Sequence, residues 1–275
     1  MGGQFIAVDK LNMKAIANKK AISKAICDYL IYVEHNPKKA LELAAEATVV
    51  SGYNDWWWKV RLGKCYFQVS YLRNVTASHL SLKLGLYREA EKQFTSALKN
   101  EDIILIHLEL SRIYVRLDQP NTAIDLLVRA LTKFPHEISL ILNISRIYDM
   151  LNDAVKGVEY YKRILAIESC NLEAVASIAS YHFYIDQPEV ALRFYKRLVQ
   201  LGVNTAEIWN NLALCCFYDS QYDMFYTCIE KALMLADDSN MADIWYNISH
   251  VSSTKFNNTH LRDDLRLLSL SEIST

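Results

Sequence analysis

The histidines and cysteines of this sequence are the residues best suited to chemistry, but their spacing forms no reaction centre. None of the 7 His shows the HExxH or i,i+4 spacing that places two imidazoles on one helix face to hold zinc. The phosphate-binding motif GxGxxG and the nucleophile motif GxSxG do not occur either. We therefore expect no catalytic residue, no metal ligand, no cofactor and no small-molecule substrate.

The 6 Cys predict reduced thiols in the core or half-buried, rather than disulfides or a nucleophile. They form no CxxC pair, and the first residues, MGGQFIAVDKLNMK, lack the long apolar core of an export signal. Cys215 and Cys216 look like a reactive pair, but Cys216 falls at an interior helix position, where a buried structural thiol is inert. We expect the chain in the cytoplasm.

Trp56, Trp57 and Trp58 form an unusual run of three indoles. Successive residues on a helix lie about 100° apart, so the three rings cannot face one way. We expect one or two of them to pack between the first two helix pairs, and one to contact a partner protein, because Trp is enriched at binding hot spots. Core packing of all three is the alternative.

The composition indicates a folded chain that is not a β-sandwich or barrel. With 52% hydrophobic and 22% charged residues the chain can bury a core, and 7 Gly and 4 Pro are too few for the many turns of a β-sandwich or barrel. Lys plus Arg number 30 and Asp plus Glu 31, giving a formal net charge of -1. This balance argues against a nucleic-acid partner, which needs a basic surface.

An internal repeat organises the chain. Tyr114, Tyr148, His182 and Cys216 occupy equivalent places in four segments and lie 34 residues apart, the length of the tetratricopeptide helix-turn-helix unit. The second helices repeat a small, a bulky and a second small residue at spacings of four and three, as at Ala123, Leu127 and Ala130. Pro120 and Pro188 suit the first turn of second helices, with Asp118 and Asp186 nearby as N-caps.

We predict an all-α, right-handed superhelical solenoid of tetratricopeptide repeats. The array spans 21–251 as about five helix pairs plus a half-pair, after an N-terminal segment, 1–20, and before a divergent, disordered tail, 252–275. About 15 surplus residues, 68–82, either loop out or lengthen a helix. The half-pair is expected to expose the apolar face of Ala232, Leu233 and Trp245, since a stacked repeat lacks its next neighbour there.

Asn143, Asn211 and Asn247 recur at one place in three first helices. First helices line the concave face of such an array, where an amide can hold a ligand backbone with one donor and one acceptor. We predict contact with a protein partner at these residues. The alternative is that they are solvated or bridge adjacent repeats.

The residues most specific to a family lie in four stretches: DWWWKVRLGKCYF (55–67), LGLYREAEKQFTSALK (84–99), DQPEVALRFYKRL (186–198) and NNLALCCFYDSQYDM (210–224). The chain resembles the family of the eighth Bardet–Biedl syndrome protein, also called tetratricopeptide repeat protein eight, over about 3–67 and 83–251. The tryptophan triplet followed by LGKCY is the most specific part of the match.

The resemblance implies a non-enzymatic scaffold subunit of the BBSome, a coat that carries membrane proteins to and from cilia and acts in ciliogenesis. It implies other BBSome subunits as direct partners, and an Arf-like GTPase, ciliary membrane-protein cargo and membrane as indirect ones. It also implies a place at the basal body, the centrosome with its centriolar satellites, and the ciliary membrane.

This chain departs from the family in three ways. The family has more chain before Met1, further repeats after Val251, and a direct helix-turn in place of 68–82. We therefore expect a form shortened at both ends, and we interpret the insertion and tail as products of an alternative transcript or a faulty gene model.

Two other functions fit a repeat array less well. A chaperone-docking adaptor grips a carboxylate with Lys and Arg on its first helices, where this chain carries Asn, Ser and Tyr. The repeat arm of an enzyme such as a glycosyltransferase needs a catalytic domain, and none follows here.

Overall fold

A computed structural model describes residues 12–72 and 77–254, and every regular element within them is an α-helix. The helices are α1 (Met13–Ala17), α2 (Lys20–Tyr32), α3 (Pro37–Val50), α4 (Trp56–Leu72), α5 (Ala77–Asn100), α6 (Ile104–Arg116), α7 (Pro120–Lys133), α8 (Ile138–Met150), α9 (Ala154–Ile167), α10 (Leu172–Tyr184), α11 (Pro188–Gln200), α12 (Ala206–Tyr218), α13 (Tyr222–Leu235) and α14 (Met241–Thr254). In the described part of the chain, no helix combines the length and apolar character needed to cross a bilayer.

The chain forms two compact units, one ending at Leu151 and one beginning at Asn152. In the first unit, α2 packs on α3, α4 on α5 and α6 on α7, and each pair contacts the next one along the chain. In the second unit, α10 packs on α11 and α12 on α13, and α14 contacts both α12 and α13. The predicted all-α tetratricopeptide-repeat architecture is therefore confirmed.

The core consists of the residues that recur with the repeat. Ala123, Leu127 and Ala130 of α7 are buried, as are the equivalent residues of the other second helices. The small Ser111 of α6 is buried too, and its hydroxyl donates to the Leu108 carbonyl one turn earlier. A small residue at this place lets the two helices of a pair approach closely.

A left-handed residue follows the first helix in four of the repeats. Four non-glycine residues with φ between 56° and 60° lie 34 residues apart: Asp118, Asn152, Asp186 and Ser220. After Asp118, Asp186 and Ser220, the N–H of the next residue donates to the carbonyl five residues earlier, as from Gln119 to Tyr114 at 2.8 Å. This bond satisfies a carbonyl at the helix end and turns the chain toward the second helix.

The predicted prolines are confirmed and the predicted caps are wrong. Pro120 and Pro188 begin α7 and α11. Asp118 and Asp186 instead end the preceding helices in the left-handed conformation, which short polar side chains tolerate. The glutamine before each proline stands at the cap position and makes no side-chain cap hydrogen bond.

The surplus segment 68–82 lengthens two helices, so far as it is described. α4 has 17 residues and α5 has 24, whereas α6 to α13 have 13 or 14 each. Val69 and Ser70 at the end of α4 are buried, which a looped-out insertion would not allow. Residues 73–76 lie outside the described part.

The C-terminal half-pair does not expose the apolar face that the sequence predicts. Ala232 and Leu233 are buried and Trp245 is partly buried against the same core, because α14 covers α13. Met234, Leu235 and Tyr246 are large side chains exposed there. The predictions for the N-terminal segment and the tail fall largely on 1–11 and 255–275, which lie outside the described residues.

Candidate protein-binding faces

The tryptophan triplet lies between two clusters of the core in the first unit. Trp58 is buried with Cys27, Leu43 and other residues of α1 to α4. Trp57 is half-buried against the same cluster, whereas Trp56 packs on the side of Phe94 and the other residues of α4 to α7. The rings thus separate as the 100° spacing requires, and contact of any of them with a partner stays a prediction.

Two cations cover the ring of Trp57. The Arg61 guanidinium lies 4.7 Å and the Lys24 ammonium 5.1 Å from its centroid, and Trp58 meets it edge to face at 4.7 Å. Arg61 also donates from Nε to Asp28 at 2.6 Å. These contacts stabilise the α2–α4 packing and cover part of the Trp57 ring.

A cleft of about 640 Å³ adjoins Trp58. Its two charged lining residues pair with each other, since the Lys24 ammonium and an oxygen of Asp55 lie 2.9 Å apart. The remaining wall comes from residues of α1 to α3 such as Ala17 and Val50. Nothing in its lining indicates a particular ligand.

Asn143 stands apart from the other two predicted asparagines. It lies on α8 of the first unit, and its Nδ2 donates to the Ser139 carbonyl at 2.8 Å within its own helix. One of its two amide donor hydrogens is therefore engaged. Asn211 and Asn247 belong to the second unit.

Asn211 and Asn247 line one groove between α12 and α14. The groove has a volume of about 360 Å³ and its lining residues are Glu207, Asn210, Asn211, Asn240, Asp243, Ile244, Tyr246 and Asn247. Asn211 also forms a hydrogen bond with the hydroxyl of Tyr195, whose pKa is raised to about 12 by burial. The structure thus brings together two of the three asparagines on a polar face made by two first helices.

The other polar residues of this groove were not among the predicted site residues. Glu207 and Asp243 lie 36 residues apart, as do Asn211 and Asn247, so the acids occupy equivalent places in two first helices. α14 begins two residues later than the 34-residue period predicts. Residues at equivalent places in α12 and α14 are therefore 36 apart, and a comparison at a spacing of 34 does not pair Glu207 with Asp243. A search at 36 finds both pairs.

The thiols are largely buried, as expected, with one exception. Burial raises the pKa of Cys27 and of Cys215 to about 12, which keeps both protonated near neutral pH. A hydrogen bond with Cys228 and burial raise the pKa of Cys216 as well. Cys170 is exposed, because it lies in the turn between α9 and α10 rather than on a packed helix face.

Within the described residues, no three His, Cys, Asp or Glu side chains are grouped so that they could hold a metal ion. His107 illustrates the structural use of such residues. It is buried on α6, and its Nε2 lies 2.6 Å from an Asp102 oxygen.

Comparison with known proteins finds relatives of the repeat sequence. No family model matches the chain. The Caenorhabditis elegans protein named "Tetratricopeptide repeat protein 8" is 31% identical over 249 residues, 90% of this chain and 46% of that protein. The mouse protein of the same name is 46% identical over 139 residues, 50% of this chain and 24% of that one. The chain is a homologue of tetratricopeptide repeat protein 8.

The human tetratricopeptide repeat protein 8 is 42% identical over 165 residues. The chain spans between about a quarter and about half the length of these curated relatives. The resemblance inferred from the sequence is thus supported by measured similarity.

Solved structures show the same fold at low sequence identity. The Pseudomonas aeruginosa PilF structure has a TM-score of 0.60 at 12% identity and covers 86% of this chain and 99% of its own. MamA from Desulfovibrio magneticus has a TM-score of 0.52 at 15% identity and covers 70% of this chain and 97% of its own. At such identities the likeness concerns the fold alone.

Proposed function

We propose that the chain is a non-enzymatic, protein-binding scaffold subunit of the BBSome. In this role it holds other coat subunits together during the transport of membrane proteins to and from the cilium, and during ciliogenesis. The observation that carries the proposal is the 31% identity to tetratricopeptide repeat protein 8 over 90% of the chain. The fold supports it, because stacked helix pairs offer extended faces for protein segments.

The proposal extends to the partners and the place of action. The direct partners are other BBSome subunits, and the coat links the chain indirectly to an Arf-like GTPase, to ciliary membrane-protein cargo and to the membrane. The chain acts in the cytoplasm and at the basal body, the centriolar satellites and the ciliary membrane. Nucleic acid and small-molecule substrates have no part in this function.

A pull-down of the tagged chain from ciliated cells tests the proposal. We expect the other coat subunits to be enriched over an unrelated tagged repeat protein. Recovery of chaperones without coat subunits would instead support a generic adaptor, and would end the proposal.

A matched pair of variants tests whether first helices carry the contact. Asn247→Ala removes a groove amide on a first helix, whereas Asn121→Ala removes an exposed amide on the second helix α7. We expect Asn247→Ala to reduce recovery of coat subunits several-fold and Asn121→Ala to leave it unchanged. Equal recovery with both variants would show that Asn247 makes no partner contact.

A further inference from the structure

The groove between α12 and α14 contains a buried acceptor without a donor. Asn210 is only 6% exposed, and among the described residues its Oδ1 has no hydrogen-bond partner. Most buried polar atoms in folded proteins are paired, because desolvation without a hydrogen bond is unfavourable. Asn210 also lines the groove, so a donor on a bound ligand is one way to pair this acceptor.

Two carboxylates add further acceptors to the same groove. Glu207 Oε1 accepts from Asn240 Nδ2 at 2.8 Å, and Asp243 lies on α14 across from it. Within the described residues, no Lys or Arg lies within ion-pair distance of either carboxylate. Among the described residues the groove therefore has two carboxylates without a direct ion-pair partner.

An exposed aromatic ring completes the lining. Tyr246 of α14 is 69% exposed although it lines the groove. The face of a tyrosine ring attracts cations, and a planar guanidinium can also stack on it.

The acceptors, the two carboxylates and the exposed ring together favour a ligand that has several hydrogen-bond donors, a positive charge and a planar shape. We propose that the groove binds an arginine side chain from an extended segment of a partner protein. The guanidinium has five N–H donors and no acceptor, and its fork matches a carboxylate in two parallel bonds. Lysine offers a point charge without this geometry. The inference rests on the proposed function, since it names what part of a protein partner enters the scaffold.

The test uses the full 275-residue chain and three nine-residue peptides of Gly and Ser that differ at the central residue. That residue is arginine, lysine or citrulline, which keeps the shape of arginine without its charge. We expect NMR titration to shift the side-chain amide signals of Asn210, Asn211 and Asn247 with the arginine peptide. Affinity should fall from arginine to lysine and be lost with citrulline. Equal affinity for all three peptides, or for arginine and lysine, overturns the choice of arginine.

Charge-neutral variants test which carboxylates bind the arginine peptide. Glu207→Gln and Asp243→Asn should each weaken binding of the arginine peptide about tenfold, the size of one charge-assisted contact. Glu189→Gln, at an exposed acid on α11 outside the groove, is the matched control and should bind as the unchanged chain does. Retained affinity in the Glu207→Gln/Asp243→Asn double variant refutes the inference.

Asn210→Leu separates binding from folding. Replacing an unpaired buried acceptor by an apolar side chain of similar volume should keep or raise the melting temperature. The same variant should lose affinity for the arginine peptide. A lowered melting temperature would mean that Oδ1 has a partner within the fold, and the premise would fail.

Failure of this inference and failure of the proposed function give different results. If coat subunits are recovered equally by the unchanged chain and the double variant, and the peptide does not bind, only the arginine site is wrong. If the peptide binds but no coat subunit is recovered, the assignment to the BBSome is wrong and the groove still selects arginine.

Discussion

Single residues decide how closely the helices of a pair can approach. In the first unit Gly63 of α4 faces the fully buried ring of Phe94 on α5, and a Cβ at Gly63 would lie 2.7 Å from that ring. Gly85 of α5 has no neighbour within 4 Å of the equivalent position. Two helical glycines of one pair therefore have different reasons to be glycine.

Alanine substitution at these two glycines should shift stability in opposite directions. Gly63→Ala gains about 1 kcal/mol of helix propensity, but overpacking against Phe94 costs about 1–3 kcal/mol, so the free energy of unfolding should fall by about 1 kcal/mol. Gly85→Ala meets no obstacle and should raise it by about 0.5–1 kcal/mol. Urea denaturation followed by circular dichroism measures both. A more stable Gly63→Ala variant would show that the α4–α5 contact is looser than described.

Helices are joined by charged groups as well as by packing. Asp102, in the linker before α6, contacts the Lys133 ammonium at the end of α7 and His107 on α6. Hydrogen bonds from Lys133 and His107 hold the pKa of Asp102 below its ordinary value. The ionised carboxylate thus ties the linker to both helices of one pair.

Asp102→Asn should lose this stabilisation in a pH-dependent way. Because the pKa of Asp102 is lower in the folded chain than in the unfolded one, its contribution is complete above about pH 5 and disappears as the pH falls below about 4. The variant should be less stable near pH 7 by at most about 1 kcal/mol, since the side chain is about a third exposed. Thermal melts at pH 3 to 7 measure the difference, and Asp125→Asn on α7 is the control. A difference that does not shrink as the pH falls from 5 to 3 would exclude the carboxylate as the cause.

The inserted segment affects the length of elements rather than the repeat pattern. Deleting 68–82 restores the nine-residue spacing from Tyr66 to Ala90 that other repeats show. Because 68–72 and 77–82 are helical, the deletion should lower the total ellipticity at 222 nm by the signal of about ten helical residues. A looped-out segment would leave the total ellipticity unchanged, so circular dichroism at equal molar concentration decides between the two.

At the scale of the whole molecule, charge is nearly balanced while large side chains remain exposed. The formal net charge is -1 and the isoelectric point is about 6.7. Tyr184 and Met234 of the second unit are each 82% exposed. A near-zero charge removes the repulsion that keeps such surfaces apart.

Solubility should therefore pass through a minimum close to neutral pH. We expect light scattering of the purified chain to be highest between about pH 6 and 7, and lower at pH 8.5. Tyr184→Ser and Met234→Ser together should reduce the scattering at the minimum, whereas the exposed polar pair Ser169→Ala and Thr205→Ala should not. Scattering independent of pH would rule out charge balance as the cause.

The sequence determined the helix-pair fold, because burial at helical spacing repeats every 34 residues and each pair needs its neighbour to cover its apolar face. It determined the prolines at helix starts and the burial of most thiols for the same local reasons. It left open whether 68–82 loops out, since helix propensity there competes with loop closure.

Only the tertiary structure showed how the side chains are partnered. It brought Asn211 and Asn247 into one groove with Glu207 and Asp243, while Asn143 turned back onto its own helix. It also placed Asp118 at a left-handed helix end instead of a cap. These outcomes depend on which hydrogen bonds become available once two helices cross, and that is a property of three-dimensional packing rather than of spacing along one chain.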